Sequence, residues 1–496
     1  MAQLGDIQAG EARACCKTSP IVMKFGGSSI ATGPAIRRVA NIAHSVATGE
    51  HPIVVVLSAM GGTTNALIKV LENARNGSID ISSIRTTHEQ IAAEFDLELS
   101  DDINKLFNEL ELVLRGVMIL QGAISADRAR DLVVSYGERI SVRLFAAIYG
   151  HLFPNATCLR PRAYDAWEIG FITCPDKLRS GACRSVLVPD AMEKIARSLA
   201  EAAEQFVPIV TGFIARDEEG NVTTLGRDGS DLSASIIGAA LKAKRVEIWK
   251  DVAGILTADP RIVPNARPVT EMTFEEVQEL TYFGSKVVHP QAILPVIECS
   301  IPMVVKNSKD PSQPGTRIVS ESTTPHGVRA ISCKRQVTLV DIVSTRMLGQ
   351  HGFLSQVFML FDEFEISVDT IATSEVSISL TLDKCFDNAM LQKLESKLLL
   401  FAEVTVTSSM SLITLIAPKE LSNEVLRRSF EIFRNANIPI EMVSHGASKV
   451  NLSFLVEDKI AEHCVLCLHE EYFGKCDSRC LHGDDSSNES TVTGSS

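Results

Sequence analysis

"PIVMKFGGSS", residues 20 to 29, sets an apolar run, a lysine, two glycines and two serines side by side. Ile21, Val22 and Met23 read as a buried strand, and Lys24 to Ser29 as the tight loop at its carboxyl end. Such a loop is either a plain turn or a cradle whose backbone N–H groups hold phosphate, and one instance does not decide between them. Two further stretches tilt the balance. "LSAMGGTTN", residues 57 to 65, follows the apolar run 53–57 and offers the hydroxyls of Ser58, Thr63 and Thr64. "TLGRDGSDLSASIIGAA", residues 224 to 240, sets Gly226, Arg227, Gly229, Ser230 and Asp231 at the start of a helix. Free N–H groups and the positive dipole end favour an anion there.

The runs "PIVVVLSA", "VPIVTGF", "RVEIWKDV" and "IPMVVKN" are also rich in Val and Ile and bounded by Gly, Pro or Ser. They alternate with helical patterns such as "DLSASIIGAALKA", where Leu232, Ile236, Ile237, Ala240 and Leu241 share one face. Strand and helix in alternation predict an α/β unit with a mainly parallel sheet covered on both sides. The three glycine-bearing loops would then meet at the carboxyl edge of that sheet, where ligands usually bind. The chain has neither G-x-x-x-x-G-K-[ST] nor G-x-G-x-x-G, so neither a P-loop nor a dinucleotide fold is indicated.

With 496 residues the chain should hold two to four domains. Its formal charge of −13 argues against nucleic acid or an anionic membrane surface as the main partner. No apolar run approaches the ~20 residues needed to span a bilayer. The first twenty residues, "MAQLGDIQAGEARACCKTSP", lack an apolar signal core and carry Asp6 and Glu11, unlike a secretory signal or an acid-poor transit peptide. Most of the 12 cysteines stand singly in apolar contexts, as thiols in a reducing compartment would. Cys464, Cys467, Cys476 and Cys480 could suggest zinc, but eight residues between the pairs is shorter than the usual ligand frameworks. "EHCVLCLHEEYF" reads instead as an amphipathic helix, and no metal-ligating residues are assigned.

"KDPSQPGTRIVSESTTPHG", residues 309 to 327, is rich in Pro, Ser, Thr and Gly and marks the best domain boundary. Beyond it the chain repeats. Phe358, Phe361 and Ile366 correspond to Phe430, Phe433 and Ile438 at a constant offset of 72. Each copy runs into an alternating strand, "EVSISLTLD" and then "KVNLSFLVE". In the first, Val376, Ile378, Leu380 and Leu382 face one way; in the second, Val450, Leu452 and Phe454 do. Two α+β modules of about seventy residues follow.

The motifs "KFGGSS", "VSYGERIS", "LGRDGSD", "IWKDVAGILTADPR" and "FGSKVVHP" resemble, in order and spacing, those of aspartate kinases. The family's paired regulatory ACT domains match the repeat. The resemblance covers roughly residues 20 to 475 and is nearest to plant-type, lysine-sensitive monofunctional enzymes, through "STRMLGQHGFL" and "ATSEVSISLTLD". It implies an amino-acid-kinase α/β/α sandwich over 20–310, a linker over 311–330, and ferredoxin-like ACT domains over 331–410 and 411–476. Residues 1–19 and 477–496 are expected to be disordered.

The implied reaction is transfer of the ATP γ-phosphoryl group, with Mg²⁺, to the β-carboxylate of L-aspartate. By resemblance Lys24 and Asp231 are catalytic, with Asp231 orienting the lysine. Ser58, Thr64, Glu138, Arg227 and Ser230 bind aspartate. Lys24, Gly27, Ser28, Lys250, Asp251, Arg261 and Lys286 bind ATP. Met347, Gln350, Phe353, Leu354, Val368, Asp369, Ser374 and Glu375 are implied to hold L-lysine as feedback inhibitor, with S-adenosylmethionine open as a co-inhibitor and a homodimer formed through the ACT domains. The compartment implied is the chloroplast stroma for a plant protein and the cytoplasm otherwise.

Bland readings stand beside these. Glu138 and Arg139 could form an exposed helical ion pair, Arg261 could cap a turn, and Phe353, Leu354 and Val368 could simply build a core. His289 reads as a structural histidine before a turn. Two residues depart from the family pattern: Asp228 stands where Gly is usual, and Gly62 where the plant type has Lys. The rival readings are a kinase of another acidic amino acid and a catalytically weak amino-acid sensor.

Overall fold

A computed structural model describes residues 18–120, 123–156, 159–175, 185–226, 229–284, 287–288, 290–322, 327–344, 351–383, 388–446 and 449–474. The two termini expected to be disordered lie almost wholly outside these residues. The chain forms two compact units. One comprises Met1–Leu256 with Pro268–Pro325, the other Thr257–Arg267 with His326–Ser496.

The first unit is built on an eight-stranded sheet. Its order is Glu271–Thr273, Thr316–Val319, Met303–Asn307, Arg245–Lys250, Ile21–Phe25, Ile53–Leu57, Val207–Thr211 and Pro161–Tyr164. Every neighbouring pair is parallel except Met303–Asn307 with Thr316–Val319. The five strands expected from the sequence are all present, at the centre. Their unbroken apolar runs have the expected cause: Ile21–Phe25, Ile53–Leu57 and Val207–Thr211 are buried at every position. This is the mainly parallel α/β unit that the alternation implied.

The helix Gly229–Ala240 is buried more fully than a one-sided pattern suggests. Ser233, Ser235 and Ala239 are enclosed along with Ile236 and Ile237. It packs on the strand Ile21–Phe25 and also on the helices Ala191–Gln205 and Pro290–Glu298. The buried Ser233 hydroxyl donates to the Gly229 carbonyl at 2.9 Å and accepts from the Phe213 N–H at 3.0 Å, whereas Ser235 Oγ is buried without a hydrogen-bond partner. A four-stranded sheet of Ser185–Leu187, Ile172–Pro175, Ile214–Asp217 and Val222–Thr224 lies beyond what the sequence reading anticipated.

The second unit centres on a six-stranded antiparallel sheet. Its order is Val368–Thr373, Ser377–Leu382, Ala330–Val343, Glu403–Ile416, Asn451–Glu457 and Met442–His445. Ala330–Val343 and Glu403–Ile416 are 14 residues each and run through both halves. Ile331, Ile413 and Leu415 join one core with Phe433, Phe454 and Leu468; Val340 and Ile342 join another with Phe361, Ile378 and Leu394.

The repeat is exact in its chain reversals. Phe361 and Phe433 are buried, the Ile366 N–H bonds to the Phe361 carbonyl at 2.9 Å, and the Ile438 N–H to that of Phe433 at 2.8 Å. Between them Glu365 and Asn437 share a left-handed backbone, φ 53° and 52°. Thr257–Arg267 belongs to this unit too. Ala258 and Val263 sit in the core of Phe433 and Phe454, the Ile331 N–H bonds to the Thr257 carbonyl, and Thr257 Oγ1 meets His469 Nε2 at 2.9 Å.

Candidate active site

Strand ends fix the site. Lys24 is the fourth residue of the strand Ile21–Phe25, beside Ile248 of Arg245–Lys250, and it is buried. Its ammonium is ion-paired to Asp231, in the first turn of the helix Gly229–Ala240. Lys250, the last residue of its strand, reaches the other carboxylate oxygen of Asp231 at 3.2 Å. Asp231 is only 1% exposed, so its charge is almost wholly desolvated. Burial pushes its carboxyl up, but Lys24 and then Lys250 outweigh that and hold it below the ordinary carboxylate range. Asp231 therefore holds two cations in place where a helix N-terminus adds further positive potential.

The glycine loops interlock behind this pair. Gly27 opens a short 3₁₀ turn, Gly27–Ile30, and any Cβ there would stand 2.6 Å from the Ala59 carbonyl oxygen. Only glycine permits that approach. The Gly27 carbonyl accepts from the Gly61 N–H at 3.0 Å, and the Phe25 carbonyl from the Ser58 N–H at 3.3 Å. Ser28 is exposed, while Ser29 is buried and hydrogen-bonded to Ser308 at 2.8 Å. Gly62 has φ 86° and caps the helix Thr63–Arg75, a left-handed conformation that glycine adopts freely and a lysine rarely does.

Glu138 comes from the long helix Ala126–Leu152 and is buried. Its Oε1 accepts from the Ala59 N–H at 3.2 Å, so Ala59 turns its N–H to Glu138 and its carbonyl to Gly27. Its Oε2 is buried with no hydrogen-bond partner. Burial pushes the Glu138 carboxyl up to about 8, against the smaller opposing pull of backbone N–H groups. A buried carboxyl with an idle oxygen is built to receive a donor, and a cationic one suits it best. Glu138 is therefore not in an exposed helical pair, and Arg139 turns instead to Asp165 at 3.1 Å.

Ser58 flanks Ala59 with its carbonyl accepting from Ser141 Oγ at 2.9 Å, Thr64 is half-buried in the first turn of its helix, and Ser230 is buried beside Asp231. Asp251 is exposed after the strand end. Arg261 lies in the second unit, 88% exposed and folded onto Asp259 at 2.6 Å, which is the turn-capping geometry. Arg227, Asp228, Lys286 and His289 fall outside the described residues. Sequence reasoning missed Ser29 and Ser141 as supports, although both stand inside the motifs "KFGGSS" and "SYGERIS". Of the four paired cysteines, Cys464 and Cys467 lie on the helix Ala461–Phe473, while Cys476 and Cys480 are outside the described residues.

In the regulatory half, Phe353 and Val368 belong to the first module's core, Val368 at its margin, while Leu354 is 44% exposed. Asp369 sits at a β-bulge between Val368 and Thr370 and is ion-paired to Lys334 at 2.6 Å. Ser374 and Glu375 form an exposed turn in which Ser374 Oγ accepts from the Ser377 N–H at 3.1 Å. Met347 and Gln350 lie outside the described residues.

A parallel sheet that gathers glycine loops and clamped lysines at its carboxyl edge is the working end of an amino acid kinase. The model of the amino acid kinase family matches residues 19–307, and an ACT-domain model matches 422–472. Aspartokinase 1, chloroplastic, of Arabidopsis thaliana is 41% identical over 467 residues, which span 91% of this chain and 80% of that one. Lysine-sensitive aspartokinase 3 of Escherichia coli is 35% identical over 466 residues, 91% and 99% of the two chains. The solved structure of E. coli aspartokinase III with aspartate and ADP superposes with a TM-score of 0.73 at 32% identity, over 92% of this chain and all of that one. The same enzyme with lysine and aspartate gives 0.70 at 33%, over 92% and 99%. The chain belongs to the aspartokinase family. It is thus a nucleotide-dependent kinase, and the weak-sensor reading is not favoured.

Proposed function

We propose that the site transfers the γ-phosphoryl group of ATP to the β-carboxylate of L-aspartate, giving 4-phospho-L-aspartate and ADP, the first step toward lysine, threonine, methionine and isoleucine. The observation that carries this is the Lys24–Asp231–Lys250 clamp beside a buried Glu138 with an idle oxygen. One element meets the phosphoryl charge, the other the substrate ammonium.

A carboxylate is already nucleophilic, so no general base is needed and positioning with charge neutralisation does the work. The aspartate oxygen forms a bond to phosphorus as the bond to the bridging oxygen of ADP breaks, and ADP leaves with that electron pair. Lys24 neutralises the charge that gathers on the transferring group, and Asp231 fixes its position. Gly27 and Ser28 cradle the phosphates, and Lys250, Asp251 and Lys286 complete the nucleotide side. Arg227 grips a substrate carboxylate bidentately, Glu138 takes the ammonium, and Ser58, Thr64 and Ser230 close the pocket. Mg²⁺, if bound with the nucleotide, would supply further neutralisation of phosphate charge, and no side chain here is assigned to hold it.

L-lysine is the feedback effector. Asp369 and Glu375 are proposed to take its two ammonium groups and backbone donors near 349–354 its carboxylate, with S-adenosylmethionine as an additional effector and the ACT modules as the dimer contact. The compartment is the chloroplast stroma in a plant and the cytoplasm elsewhere.

The test is ADP release coupled to hydroxylamine trapping of the acyl phosphate. L-aspartate should support both and L-glutamate neither; no aspartate-dependent ADP overturns the assignment. Millimolar lysine should inhibit, and Asp369→Ala should relieve inhibition while still turning over aspartate.

A further inference from the structure

Asp369 is not waiting for a ligand. The bulge between Val368 and Thr370 adds a residue to the edge strand and re-aims its side chain, which is 5% exposed and held by Lys334 Nζ at 2.6 Å. Lys334 arises from the strand Ala330–Val343, and its side chain is 14% exposed. The same ammonium lies 3.3 Å from Asp383, just past the strand Ser377–Leu382 and more open to solvent. One lysine thus stands between two carboxylates, closer to the better buried one.

An effector ammonium that binds Asp369 must enter the space Lys334 fills. Unlike Asp231, whose two lysines take different oxygens, Asp369 would have Lys334 and the effector amine at the same Oδ2, and two ammonium groups at one oxygen exclude each other. We propose that Lys334 is a built-in competitor for the effector amine, holding Asp369 in its absence and passing to Asp383 when the effector arrives. This rests on the reading of Asp369 as the effector's partner and gives that site its threshold. The apparent dissociation constant is the intrinsic one divided by the fraction of molecules whose Lys334 has moved away. A weak, solvent-screened second partner keeps that fraction small without making it negligible.

The competitor and its alternative partner can be tested in opposite directions on the full-length protein, with L-lysine titrated by calorimetry. Lys334→Met removes the competitor and should tighten lysine binding by about fivefold or more. Asp383→Asn removes the alternative partner, leaves Lys334 on Asp369, and should weaken binding by a similar factor. Asp383 is 44% exposed, so that variant should fold even if Lys334→Met does not. Lys334→Met should also gain more thermal stability from saturating lysine than wild type, because the free amino acid fills the empty ammonium position. Both variants within twofold of wild type, or both shifted the same way, overturns the proposal while the lysine site stands. Wild type without lysine binding, or Asp369→Asn binding normally, removes the site itself and the proposal with it.

Discussion

Glu138 shows how much chemistry one buried side chain can store. Its carboxyl is raised to about 8, so at neutral pH the empty site holds it mostly protonated. The sign follows directly. The folded protein retains this proton over a range where the unfolded chain has lost it, so rising pH removes stability from about the ordinary glutamate value up to about 8. On the role proposed for Glu138, a substrate ammonium needs the charged form, so binding must expel the proton. We expect kcat/KM for aspartate to rise with pH up to about 8 and level off above, and Glu138→Gln to abolish that rise along with most of the affinity. A flat wild-type profile from pH 6 to 8 would contradict the role. For Lys24→Ala we expect kcat to fall by about a hundredfold or more, read in the acyl-phosphate assay, with the circular dichroism spectrum retained. Asp231→Asn would leave Lys24 and Lys250 facing each other without a counter-ion. It should cost about 3–5 kcal/mol in denaturant unfolding, a magnitude typical of breaking a buried pair. The roles proposed for Lys24 and Asp231 come from their motifs, but the second clamp on Lys250 has no trace there, because it depends on which strand ends lie side by side.

Among the elements, the central strands and the repeat were legible because their apolar patterns are dictated by burial alone. Strands with little such pattern escaped: Pro161–Tyr164 is an edge strand without a fully buried residue, and Val222–Thr224 is only half-buried throughout. The alternation in Ser377–Leu382 was right for Ile378, Leu380 and Leu382, yet Thr381 on the opposite face is also fully buried, hydrogen-bonded to Thr370. Val376, assigned to the apolar face, lies before the strand and is exposed. The sharing of two long strands between both cores leaves no trace in a repeat of fixed offset, since it concerns pairing rather than pattern. At this scale the glycine loop is the vulnerable part. Gly27→Ala must push the Ala59 carbonyl away and with it the N–H that holds Glu138. We expect a cost of about 1–3 kcal/mol in unfolding and at least a tenfold loss in kcat/KM for aspartate. Wild-type kinetics in that variant would show that the loops move independently.

For the molecule as a whole, the family match extends through both units, and a cut between them is not simple. The excursion Thr257–Arg267 leaves the first unit and returns to it, with Leu256 bridged to Pro268 at its base. A fragment ending at Pro325 would carry Ala258 and Val263 without the residues that cover them. We expect that fragment to elute as aggregates in size-exclusion chromatography, and Val263→Ser within it to recover soluble material. A monodisperse, active fragment would show that the excursion is dispensable.

The excursion also sets an order of events at the ribosome. Ala258 and Val263 are synthesised long before Phe433, Phe454 and Leu468, the side chains that must enclose them. Domains usually complete themselves as they emerge, the N-terminal ones first. Here a segment of the later unit, made between two parts of the earlier one, has to stay open until the rest of its own unit is made. A nascent chain that has just made its kinase half therefore carries an uncovered apolar segment, and it is relieved of that segment only when the regulatory half is complete.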